Sequence, residues 1–242
     1  MNLPFAFVHA SQISVVAFAA ICIAILLAFV SAVVYSQRNI LNSTSVLRRL
    51  SGAVVAYCIF LAGVVYSGLL DRAFIPFGPI FIFGTVSFAI AIGFTPLVTN
   101  VLTHVSLAWL VGFQGFRLPL ELVLHDWYAS GTIPETMTWS GSNWDILSGI
   151  FALLSCFFVN DRRWLAWVFN IVGIILLLNV GRVAIMSSPV PFGWQVDPPL
   201  ELILFLPYAY IVPICVGGAA IGHTLLTRKL LSARDFNSQD SP

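Results

Sequence analysis

Apolar residues fall in long uninterrupted runs along the whole chain, not in the alternating or one-faced patterns of a water-soluble fold. A helix needs about 20 residues, at 1.5 Å each, to cross roughly 30 Å of hydrocarbon, so apolar runs of that order mark crossings. The runs lie near residues 12–35, 52–70, 74–95, 102–126, 144–159, 164–186 and 200–226, the fifth being the shortest. They predict an all-α polytopic membrane protein: one domain of seven transmembrane helices over residues 1–230, then a polar cytoplasmic tail without fixed structure over 231–242. The longest connections, 127–143 and 187–199, are rich in Gly, Ser, Thr and Pro, and none has room for a soluble domain.

Composition agrees with the pattern. Hydrophobic residues make up 59% of the chain and charged residues 9%, against about 25% charged in a typical soluble domain. The lipid bilayer is therefore the expected partner. A net charge of +1 gives no bulk attraction to nucleic acid, so no nucleic-acid partner is expected, and nothing identifies a protein partner. Cys22, Cys58, Cys156 and Cys215 all sit inside apolar runs and read as small core residues. The N-terminus lacks the basic region and cleavage site of a signal peptide, so the first run is expected to remain as a span.

Few as they are, the charges orient the chain, because cytoplasmic loops retain Lys and Arg. Arg38, Arg48 and Arg49 follow the first run, Arg162 and Arg163 the fifth, and Arg228, Lys229 and Arg234 the seventh. The opposite connections hold Arg72 as their one basic residue, with Asp71, Asp126, Glu135 and Asp197. The expected topology is N-terminus outside, C-terminus inside.

An ionisable side chain inside hydrocarbon costs about 2.5–3.5 kcal/mol on insertion scales and needs a partner or a wet cavity. The fourth run carries Gln114, Arg117, Glu121 and His125 at spacings of three, four and four, a stripe confined to a sector roughly 80° wide. Pro119 lies within it, freeing the carbonyl of Gly115 and predicting a kink toward the bundle interior. With the topology above, Arg117 is expected beyond the midplane. Asn179 and Arg182 end the sixth run, Asn143 and Asp145 begin the fifth, and Glu201 begins the seventh, so four helices bring polar groups to the outer half.

The expected ligand-binding set is Arg117, Glu121, His125, Gln114, Asn143, Asp145, Asn179 and Arg182. Two arginines at one depth suggest a pocket for an anionic or amphiphilic small molecule, held by Arg117 and Arg182 and oriented by Gln114 and Asn179. A second reading is an intramembrane enzyme acting on a lipid-like substrate at the outer leaflet, with Glu121 and His125 as catalytic acid/base candidates. Thr138, Ser140 and Ser148 are its nucleophile candidates by proximity alone. A third is structural: Arg117 pairing with Glu121 and Asp145 with Arg182 to fix packing, Asp145 capping its helix and Glu201 lying among headgroups. His9, His104 and His223 read as terminal or interfacial residues, no cofactor is indicated, and no histidine set has the spacing of a metal site. Trp127, Tyr128, Trp139, Trp144 and Trp194 gather near the outer loops as belt aromatics, some of them possible mouth residues.

The stretch Phe116-Arg117-Leu118-Pro119-Leu120-Glu121-Leu122-Val123-Leu124-His125, with the block from Met137 to Gly149, resembles a family of uncharacterised bacterial membrane proteins. Leu178-Asn179-Val180, the run Ser188-Pro189-Val190-Pro191-Phe192 and Phe205-Leu206-Pro207 are similar as well, so the resemblance covers roughly the second half of the chain. It implies a bacterial inner-membrane setting and brings no activity or site assignment. Rhodopsins are a poor match: retinal needs a lysine in the last span, and Lys229 falls beyond the run at 200–226.

Overall fold

The computed structural model describes residues 7–38, 43–72 and 74–239, with side chains described up to Ser232. Every regular element among them is helical. Ten α-helices follow in order: α1 (Gln12–Gln37), α2 (Ser43–Tyr66), α3 (Leu69–Arg72), α4 (Phe74–Ile92), α5 (Pro96–His104), α6 (Leu107–Phe113), α7 (Arg117–Ala129), α8 (Ile146–Ser155), α9 (Arg163–Ser187) and α10 (Gly217–Gln239). Among the described residues, six segments are long and apolar enough to cross a membrane: Gln12–Gln37, Thr44–Tyr66, Phe74–Ile92, Leu107–Ala129, Arg163–Ser187 and Tyr208–Ser232. The chain is thus a multi-pass helical membrane protein by length and composition.

Three of the predicted runs take a different form. The fifth is the ten-residue helix α8, about 15 Å long and half a hydrocarbon core. The last begins later, at Tyr208, because residues 200–207 form a short 3-10 turn and an extended stretch instead of a helix. It also runs further, so α10 continues to Gln239 through most of the segment expected to be an unstructured tail, while residues 240–242 lie outside the described residues. Lys229 consequently falls within the last helix, where its ammonium donates to the Leu102 carbonyl.

The fourth run is one rod of three pieces. Ser106 caps it, its Oγ accepting the Trp109 amide at 3.1 Å. A 3-10 turn, Gln114–Phe116, joins α6 to α7. Pro119, lacking an N–H, withholds the α-type bond from the Gly115 carbonyl, and the chain tightens so that the Arg117 amide approaches that carbonyl instead. Pro119 itself is exposed. The last helix enters through a comparable irregularity, a π-helical turn at Ile211–Val216 that contains Pro213.

Residues 143–160 lie antiparallel to this rod. Asn143 meets Glu121, Asp145 meets Arg117, and the Asn160 Oδ1 accepts the Ala108 amide at 3.2 Å. Close approach requires small residues: a Cβ on Gly149 would come within 2.8 Å of the Leu118 Cα, and one on Gly115 within 2.6 Å of the Leu153 Cδ2. Helix α9 then returns against the last helix, Arg163 donating to the Leu230 carbonyl at 2.9 Å.

The bundle therefore has two chemically distinct ends. One gathers Arg38, Arg162, Arg163, Arg228 and Lys229, with Arg228 donating to Thr99 Oγ1 at 2.9 Å. The other holds the connections 130–145 and 188–207, where Thr136 and Ser187 share a hydrogen bond of 2.7 Å and the Tyr208 hydroxyl accepts the Ala10 amide at 3.0 Å. These two connections are packed in: Ile133, Met137, Thr138, Leu200 and Leu202 are all buried.

Candidate functional site

At the middle of the rod, Arg117 stands ten residues after Leu107 and twelve before Ala129. It is 1% exposed. Burial at that depth demands a counter-charge, and Asp145 supplies one: the Arg117 Nε donates to Asp145 Oδ2 at 2.6 Å, and Nη2 faces Asp145 Oδ1 in a second prong. The remaining group, Nη1, donates to His223 Nε2 at 3.2 Å and to the Gly173 carbonyl at 3.5 Å.

His223 is an acceptor there because its other nitrogen donates: Nδ1 lies 2.9 Å from Asn170 Oδ1. The Asn170 Nδ2 donates to Thr227 Oγ1 at 2.7 Å, and that hydroxyl donates to the His223 carbonyl at 2.8 Å. Every donor points one way along this chain, which fixes a neutral imidazole with its proton on Nδ1. The guanidinium thus meets groups from the start of α8, from α9 and from α10.

Glu121 sits one turn further along α7 and is also 1% exposed. Its Oε1 accepts the Asn143 Nδ2 at 2.9 Å. Asn143 is itself saturated, donating also to the Met137 carbonyl at 3.0 Å and accepting the Asp145 amide at 3.1 Å on Oδ1. Asn143 therefore satisfies the start of α8, while the Asp145 side chain makes no capping bond and turns to Arg117. Glu121 Oε2 is buried with no hydrogen-bond partner. Such an orphan is costly and rare in a protein interior.

That oxygen's residue borders a cavity of about 90 Å³. Arg117, Glu121 and Asp145 line it together with apolar residues: Leu177, Val180, Gly181 and Ala184 of α9, Ile211 and Cys215 of the last helix, and Leu200 and Leu202 from the connection above. Helix α9 packs tightly on the last helix where His223 lies against Gly173, and the cavity occupies the space between the same two helices beyond that crossing. Three ionisable groups and Ser188 thus sit on an otherwise apolar wall.

The other expected residues are elsewhere. Gln114 is buried, donates to the Ala219 carbonyl at 3.1 Å and does not line the cavity. His125 stacks on Trp139 with ring centroids 4.2 Å apart, and its Nδ1 is buried without a partner, outside the cavity lining. Asn179 donates to the Ser142 carbonyl at 2.8 Å and accepts from Arg182 Nη2 at 2.8 Å. Arg182 is exposed, beside the Trp194 ring, and does not meet Asp145. Of the nucleophile candidates, Ser140 is exposed, Thr138 donates to the Glu135 carbonyl at 2.9 Å, and Ser148 is buried; none lines the cavity. Glu201 is buried and precedes a 3-10 turn, not the start of the last helix. Trp127 is fully buried, edge-on to Phe18 at 5.1 Å and Tyr208 at 4.9 Å, and is a core residue and not a belt residue.

Two members of the site, His223 and Asn170, were not expected from the sequence. The available signal was Asn170, a polar residue in the middle of an apolar run, and Gly173 one turn later, where only hydrogen leaves room for an imidazole. Among the described residues no three His, Cys, Asp or Glu side chains gather as metal ligands.

A family model described as a domain of unknown function, DUF8737, matches residues 74–231. The chain belongs to this family. The DUF8737 region runs from the start of α4 and includes Arg117, Glu121, Asn143, Asp145, Asn170, Gly173 and His223, so the whole polar site lies inside it, whereas α1 and α2 precede it. No curated protein and no solved structure matches the chain.

Proposed function

We propose that this protein is a binder of an amphiphilic small molecule, acting as a sensor, binder or transporter component in a membrane, with the cavity beside Glu121 as its site. One observation carries the reading: an apolar cavity of about 90 Å³ with Arg117, Glu121 and Asp145 at its edge. An apolar chain gains from such walls, while the polar edge fixes a head group. Of the anionic and amphiphilic classes, the geometry favours the amphiphilic. Asp145 already balances Arg117, and Arg182 is exposed on another face.

Seven crossings, N-terminus outside and C-terminus inside, belong to the same proposal. The support is the path of residues 143–160, which accompany the rod from the level of Glu121 back to Ala108, and the gathering of basic residues at one end. A bacterial inner-membrane setting rests on the sequence resemblance.

The ion pair also favours a structural role for part of the site. Arg117, Asp145, His223 and Asn170 tie α7, the start of α8, α9 and α10 together, and the charges of Arg117 and Asp145 are spent on each other. Binding is therefore assigned to Glu121 and the cavity walls, and register to the pair.

The test uses Gly181, which lines the cavity and at which a Cβ meets no atom within 4 Å. Protein purified in native lipid is analysed for tightly retained molecules by native mass spectrometry. A retained amphiphile that disappears from Gly181→Leu supports the reading; identical retention in both proteins refutes it.

A further inference from the structure

The cavity's polar edge offers three ionisable groups, of which Arg117 and Asp145 are paired with each other while Glu121 faces no charge of its own. Arg117 donates to Asp145, His223 and Gly173, and both Asp145 oxygens face the guanidinium. Glu121 uses one oxygen for Asn143, and its second oxygen, Oε2, is buried and unpartnered. A carboxyl in an apolar cavity holds its proton unless a cation is brought beside it, and within the site the single guanidinium is already paired with Asp145. The group missing from this arrangement is a positively charged hydrogen-bond donor at Glu121 Oε2.

We propose that the ligand of this cavity is a cationic amphiphile, an ammonium head seated on Glu121 Oε2 with its apolar chain along the α9 wall. This inference rests on the amphiphile-binding reading above and adds the sign of the head group. The cavity volume of about 90 Å³ accommodates the head and the first carbons only. The remaining chain runs past Val180, Gly181 and Ala184 of α9. An anion is disfavoured on the same grounds: it would meet Glu121 and Asp145 with no free cation to hold it.

The experiment compares three probes of equal chain length, dodecylamine, dodecanol and laurate, binding to the full chain in phosphatidylcholine nanodiscs at neutral pH. Dodecylamine is expected to bind tightest. Glu121→Gln should weaken it by about 10–100-fold, the worth of one hydrogen bond to a charged group, while leaving dodecanol little changed. Glu121→Asp, which keeps the charge and shortens the reach, should fall between, and it serves if Glu121→Gln does not fold. Laurate binding tighter than dodecylamine, or dodecylamine binding unaltered in both variants, overturns the head-group assignment. If that occurs while Gly181→Leu still blocks the bound probe, the amphiphile-binding reading stands. Binding of no probe, with Gly181→Leu indistinguishable from the parent protein, removes both.

Discussion

The imidazole of His223 lies with its Cε1 against the bare backbone of Gly173, in space that a Cβ would occupy. This contact sets the separation of α9 and the last helix at the level of Arg117, and it holds the ring where Nε2 can accept from the guanidinium. Gly173→Ala should push the ring away and break that bond, at an overpacking cost of about 1–3 kcal/mol. Thermal unfolding in detergent is the measurement; a chain of this size should lose about 2–4 °C in Tm per kcal/mol. An unchanged Tm would mean that the two helices separate freely.

The Arg117–Asp145 pair predicts strong non-additivity. Asp145→Leu strands a buried guanidinium and should cost about 3–5 kcal/mol, whereas a paired replacement by apolar residues is often neutral. The double variant Arg117→Met/Asp145→Leu should therefore unfold at a higher temperature than Asp145→Leu alone. A full double-mutant cycle read by Tm checks it, and additive effects would contradict the pairing.

Topology gives a separate check. Seven crossings place the two termini on opposite faces, six on the same face. Reporter fusions at each terminus should report an outside N-terminus and an inside C-terminus; two reporters on one side would exclude α8 as a crossing.

In the connection that roofs the cavity, burial, reinforced by the carboxylate of Asp71, holds the Glu201 carboxyl above its ordinary range. A raised acid binds its proton more readily in the folded state, so it weakens folding as pH rises from its unfolded value to its folded one. Glu201→Gln should accordingly raise Tm at pH 7 and bring little gain at pH 4, as a pH series of melting curves would record.

Much of this was legible in the sequence. Apolar length alone located the main helices, and the spacing of Gln114, Arg117, Glu121 and His125 marked a polar stripe of which the first three members are buried and His125 is half-buried. The partner of Arg117 was not legible. Helical side chains lean toward the N-terminus, so an arginine at 117 reaches away from a glutamate at 121, and the charge it meets comes from another helix. Asn179 and Arg182 do share a face, at 2.8 Å. Periodicity relates the two residues to each other but carries no information on which way that face turns in the bundle, and it turns outward. The apolar stretch 200–207, which is not helical, shifts the last run toward the N-terminus and makes His223 read as a residue at the helix end. With the helix running from Tyr208 to Ser232 in the apolar segment, His223 lies nine residues inside its end.

On the amphiphile-binding proposal, the parting of α9 from the last helix beyond Gly173 governs how the cavity fills. A ligand that enters between helices is drawn from the hydrocarbon, so its occupancy follows its concentration there and not in water. Each methylene added to its chain enriches it in the bilayer about fourfold. Preference for long chains would then arise from the solvent around the protein, leaving the walls to discriminate only the few atoms nearest Glu121.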